Sequence, residues 1–139
     1  MATIFEDLCS AVDESQLKHA ADQKEKNITF IIQSGDEQVK FLYSVDEEKR
    51  LIYVISLIAE MIHEDNDFHA AYKFCNKWNS SFKYPKARVD EIHRIMICEW
   101  TWNMDASYSG EFLKQIVLDS FISLSRFFFA DAVKSGMYR

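Results

Sequence analysis

The residues in this chain best suited to chemistry are four histidines, three cysteines and one acid set inside an apolar run. His63 and His69 stand six apart, while His19 and His93 fall in other elements. A helical zinc site of the HExxH type needs two imidazoles one turn apart; His63-Glu64-Asp65-Asn66 is not followed by a second histidine at that spacing. No His-x-His pair occurs, and the histidines read as surface residues. Cys9, Cys75 and Cys98 form no CxxC pair, so neither a zinc knuckle nor a redox motif is signalled. Each has apolar neighbours, where a free cysteine behaves as a small core residue, and unpaired thiols fit a reducing compartment. The three glycines are isolated, so no phosphate-cradling loop or glycine-framed nucleophile turn is present. Catalytic, metal and cofactor residues are therefore expected to be none. Glu99, between Cys98 and Trp100, is either a buried acid with a raised pKa or a partner for Arg88 or Lys86 on a neighbouring strand. The ion pair is the favoured reading.

The elements that position these residues follow from periodicity. Thr3 and Glu6 form a capping box, and Ile4, Phe5, Leu8, Cys9 and Val12 then share one helical face as far as Asp13–Glu14. Residues 15–26 are polar, read as a helical turn followed by a loop. Alternation over 27–34 and 37–45 around Ser34-Gly35-Asp36 predicts an antiparallel hairpin. Residues 51–59 are apolar on both faces, as in a central strand, and Glu60-Met61-Ile62 allows a helical continuation. Asp65 or Asp67 caps a helix with Ala71, Tyr72, Phe74, Cys75 and Trp78 on its stripe, ended by Asn79-Ser80-Ser81. A second hairpin, 86–91 and 94–104, turns at Ile92-His93 and aligns Met96, Cys98, Trp100, Trp102 and Met104. Ser107 or Ser109 opens a last helix whose stripe is Phe112, Leu113, Ile116, Val117, Phe121, Leu124 and Phe128, with Gly136 as its stop. The expected architecture is α+β, in the order α-βββ-α-ββ-α, with helices packed on an antiparallel sheet in one domain spanning 1–139.

Composition sets outer bounds. Residues 1–50 carry eleven acids against six bases, and the net charge of −6 disfavours nucleic acid. The longest apolar stretch is too short for a membrane helix, and the N-terminus lacks a signal-peptide pattern, so a cytoplasmic location is expected.

The segment from about Asp67 to Ala132 resembles the bacterial YbjN family of sensory transduction regulators. The resemblance rests on Lys77-Trp78-Asn79, Phe82-Lys83-Tyr84-Pro85-Lys86-Ala87, Ile95-Met96-Ile97-Cys98-Glu99-Trp100, and Tyr108 through Phe129. The short polar turn at 92–93 departs from the acidic Asp-Gly-type turn frequent in that family. The resemblance implies a fold like that of type III secretion chaperones and a dimeric, non-enzymatic module that holds a partner protein: an effector, a regulator or a toxin. The alternative is an immunity protein that covers a cognate toxin's active site, which small size, acidity and lack of motifs also fit. In the residues themselves, Trp78 reads as an anchor for its helix and Asn79 as the cap of the helix end. Trp100 and Trp102 are either core beneath the last helix or an aromatic binding surface. Phe127-Phe128-Phe129 cannot all face one core at helical spacing, so Phe127 or Phe129 is expected at a partner or dimer contact.

Overall fold

A computed structural model describes residues 2–105 and 107–135. Helix α1 (Ile4–Glu14) starts at the expected capping box: Glu6 N donates to Thr3 Oγ1 at 3.1 Å and Thr3 N to Glu6 Oε1 at 3.2 Å. The remaining open N–H groups find a partner far along the chain. Glu47 accepts from Ile4 N at 3.1 Å and from Phe5 N at 2.9 Å. Three successive amides that an α-helix leaves unpaired are thus satisfied, and a carboxylate sits at the positive end of the helix dipole.

Six strands follow one another in an antiparallel sheet ordered β1-β2-β3-β4-β6-β5. Strands β2 (Asn27–Ser34), β3 (Glu37–Asp46), β4 (Leu51–Ile58), β5 (Lys86–Asp90) and β6 (Ile95–Asn103) stand where alternation predicts them. Strand β1 (His19–Asp22) was not expected; it pairs with β2 from His19↔Phe30 to Asp22↔Asn27. Its four residues hold no apolar alternation. Backbone pairing makes it a strand, across a tight turn in which Asp22 Oδ1 accepts from Lys24 N and Glu25 N at 3.0 Å and Lys26 stands at φ 56°.

One sheet face carries Phe30, Phe41, Tyr43, Ile52, Val54, Met96, Cys98 and Trp102 into the main core, beneath α1, α2 (Asp67–Ser81) and the last helical run. The opposite face is not covered like the interior of a central strand. Ile55 and Leu57 are half-buried there and Tyr53 is exposed, so β4 is apolar on both faces but packed on one.

The chain between β4 and α2 is not helical. Arg94, at φ 60°, accepts from Ile62 N at 2.6 Å, while its guanidinium donates to Ile62 O, His63 O and Asp65 and lies 4.8 Å from the Phe68 ring centre. This latch holds Ile62 in the core. The N-cap of α2 is Asn66, with no side-chain cap bond, rather than Asp65 or Asp67.

The last helical run opens at Ser109, whose Oγ accepts from Phe112 N at 3.1 Å. It comprises α3 (Gly110–Phe112), a π-helical stretch (Leu113–Ser120) and α4 (Phe121–Lys134). The wider π turn shifts the phase of the stripe, burying Leu118 and turning the expected core residue Ile116 outward. Two tyrosines secure it: buried Tyr43 donates to Val117 O at 2.6 Å, and Tyr84 donates to Ile116 O at 3.2 Å. The expected stop at Gly136 lies outside the described residues.

Candidate partner-binding surface

The Trp78-Asn79 pair does more than end a helix. Trp78 Nε1 donates to Pro85 O at 2.9 Å, fixing the indole against the chain entering β5. Asn79 is not the helix cap, which falls at Phe82. Its amide instead exchanges two hydrogen bonds with Ala87: Nδ2 donates to the carbonyl at 3.0 Å, and Ala87 N donates to Oδ1 at 2.9 Å. The side chain reproduces a strand partner's pairing along the free side of edge strand β5, so that edge is closed near its start, at Ala87. A carboxamide is the shortest neutral side chain that offers a donor and an acceptor side by side, which accounts for the residue type here.

Around Trp78 an aromatic cluster reaches the surface. The indole stacks on Phe82 at 4.0 Å between ring centres, meets Phe128 edge-on at 5.2 Å and lies 6.0 Å from Phe127. Phe128 also meets Phe74 edge-on at 5.1 Å. Phe127 is 57% exposed, whereas Phe128 and Phe129 are fully buried. A cleft of about 110 Å³ runs between α2 and α4, lined by Phe74, Lys77, Trp78, Phe82, Phe127 and Asp131. It offers an apolar floor with one cation and one anion at its rim.

The contact residues expected from the sequence therefore separate. Phe127 is exposed and lies beside Trp78, the expected helix anchor. Phe129 belongs to the core, because the phase of α4 turns its ring inward beside Phe128. Trp102 is also core, 8% exposed and edge-on to Phe121 and Tyr84. Trp100 is half-buried within β6, opposite Val54 and edge-on to Tyr84 at 5.2 Å. Phe74 and Phe82 are the surface-cluster members that sequence reasoning did not select. Their signal was present: Phe74 sits on the α2 stripe, and Phe82 lies four residues from Trp78.

The groups considered for chemistry are engaged elsewhere or lie in the open. Arg88 Nε donates to Glu99 Oε2 at 2.8 Å on the outer sheet face, the expected ion pair. His19 Nδ1 donates to Leu17 O at 2.7 Å, and His93 Nδ1 to Asp90 Oδ2 at 2.8 Å, which together with the His93 amide holds the Asp90 carboxyl below its usual range. His63 and His69 are exposed. Burial pushes the Cys75 thiol up to about 12 and the Cys98 thiol well above its ordinary value, so neither is a thiolate near neutral pH. Among the described residues no three His, Cys, Asp or Glu side chains converge to hold a metal ion. No helix of the described residues is long and apolar enough to cross a membrane.

A solved structure has this architecture. A chain of the HopA1–SchA chaperone–effector complex matches with a TM-score of 0.58 over 87% of this chain and 88% of its own length, at 14% sequence identity. The fold is shared. The expected α+β, chaperone-like architecture is thus the observed one, with β1 added to it. No protein-family model matches the chain, and no curated protein matches it in sequence.

Proposed function

We propose that this chain is a non-enzymatic, chaperone-like domain that holds a partner protein against the aromatic cluster between α2 and α4, and that it works as a homodimer in the cytoplasm. The observation that carries the reading is Phe127: a large apolar ring, more than half exposed, resting on a rigid aromatic base. Exposed rings set on a preordered apolar floor are the usual anchors of protein interfaces, because little side-chain entropy remains to be lost on binding. The shared fold with a chain of a chaperone–effector complex supports the same reading. The kinship with YbjN proteins is kept as part of the proposal. It is supported by Trp78-Asn79, whose two side chains fasten α2 to β5.

Affinity capture from the native host tests this, with the wild-type chain and Phe127→Ser side by side. The expected outcome is one protein recovered in fixed proportion with the wild type and lost with Phe127→Ser, whose exposed position leaves folding intact. Recovery of an enzymatic toxin whose activity the chain blocks would replace the chaperone reading with the immunity reading. Equal recovery with both chains would remove the aromatic cluster from the account. Light scattering on the isolated chain tests the dimer, and a strict monomer at high concentration would exclude it.

A further inference from the structure

The junction between the end of β6 and the last helical run carries an open cavity of about 650 Å³, lined by Asn103, Met104, Ser107, Tyr108, Ser109 and Phe112. None of these residues lines the α2–α4 cleft, so the cavity stands apart from the aromatic cluster. Its floor is apolar: Met104 is buried, and Tyr108 and Phe112 are half-buried. Each floor residue is also fastened. Tyr108 OH donates to Asp7 Oδ2 on α1 at 2.6 Å. Met104 pairs both ways with Arg50, its N–H donating to Arg50 O at 2.8 Å and its carbonyl accepting from Arg50 Nε at 3.2 Å. Phe112 N donates to Ser109 Oγ at 3.1 Å. The walls are thus set before anything binds, and both size and apolar floor are those of a small-molecule site.

The lining carries no charge, in a chain with 27% charged residues. The charged groups around Tyr108 are Asp7, Arg50 and Glu47, and each is engaged: Asp7 by Tyr108, Arg50 by Met104 O and Glu47 by the first amides of α1. A charged visitor would lose hydration there and find no counter-ion on the walls. The polar rim has a bias of its own. Asn103 Oδ1 already accepts from Asp105 N at 2.9 Å, and Ser109 Oγ already accepts from Phe112 N. The Asn103 amide protons and the Ser107 and Ser109 hydroxyl protons have no acceptor among the described residues. The rim therefore offers donors, and a carbonyl oxygen is the uncharged group that meets them.

We infer that this cavity binds a small uncharged molecule with an apolar ring and a carbonyl acceptor, the ring on Met104 and Phe112 and the oxygen toward Asn103 and the two serines. A thioether and aromatic rings make favourable contacts with a flat apolar ligand. The inference goes beyond the partner-binding reading and does not depend on it.

Titration of the isotope-labelled full chain with acetophenone, benzoate and benzylamine, followed through backbone amide shifts in NMR, tests this. Acetophenone is expected to move the Met104, Ser109 and Phe112 amides saturably and to bind about fivefold more tightly than either charged ring. Ser107→Trp, at an exposed position, fills the cavity and should abolish those shifts. Asn103→Asp keeps the acceptor for Asp105 N but removes the donor, and should weaken acetophenone about threefold with the melting temperature unchanged. If Ser107→Trp fails to fold, Asn103→Asp decides alone. No saturable shift, shifts that map elsewhere, equal affinity for the three rings, or unaltered binding in a folded variant would each overturn the inference. None of these outcomes bears on Phe127, whose cluster shares no residue with the cavity.

Discussion

Asn79 shows how one side chain can decide whether a sheet edge is open. Replacing it with Ala strips the partners from Ala87 N and O in a partly buried setting, and the expected cost is about 1–3 kcal/mol in chemical denaturation. Ser80→Ala, one residue on and exposed, removes only a bond to Asn76 O and should stay within about 0.5 kcal/mol of wild type. No loss in Asn79→Ala would show that the bonds to Ala87 contribute little beyond what the higher helix propensity of Ala returns. Glu37 makes a prediction in pH. The neighbouring Glu60 carboxyl, then burial, holds the Glu37 carboxyl above its ordinary range, so folding favours the protonated form. That contribution is complete below the unfolded-state pKa and is lost as pH rises through the higher folded value. Glu37→Gln should therefore melt at a higher temperature than wild type at pH 7, with the difference closing as pH falls toward the carboxylate range. A melting difference independent of pH would contradict a raised Glu37 carboxyl in the folded chain.

At the scale of elements, the helix–hairpin–helix half and the β2–β3 hairpin were legible because each pairs a clean period with a turn signal or cap. Three features were not. Strand β1 has four residues with no apolar alternation, and backbone pairing to β2 alone makes it a strand. The π-helical stretch is invisible to a 3.6-residue template, which placed Ile116 in the core; its stability comes from Tyr43 and Tyr84, distant in sequence. The third is Glu47, about forty residues from the amides it caps. The candidate surface was half legible: the Phe127–Phe129 run announced a surplus ring, but only the phase of α4 decides which ring is outside. Two substitutions test these long-range supports. Tyr43→Phe leaves Val117 O without its buried donor and should cost about 1–3 kcal/mol. Glu47→Ala should cost about 0.5–2 kcal/mol and raise amide exchange in the first turn of α1. Unchanged exchange at Ile4 and Phe5 would show that the capping box suffices alone.

Across the described residues, the groups most capable of chemistry are engaged in structure or lie apart, while aromatic rings cluster between α2 and α4. Burial holds Cys75 and Cys98 protonated, Arg88 occupies Glu99, and among the described residues no three His, Cys, Asp or Glu side chains converge to hold a metal ion. At the α2–α4 cleft the exposed Phe127 ring meanwhile joins the half-buried Phe74 and Phe82. An exposed ring on an aromatic base is the feature on which the proposed partner-binding role rests. The most direct test is hydroxyl-radical footprinting of the purified complex between this chain and its captured partner, compared with the free chain. Oxidation of Phe127 and Phe82 should fall at least severalfold in the complex, with Ile92 at the far hairpin, 89% exposed, unchanged as the internal control. Phe127 oxidised as readily in the complex as in the free chain would contradict the account.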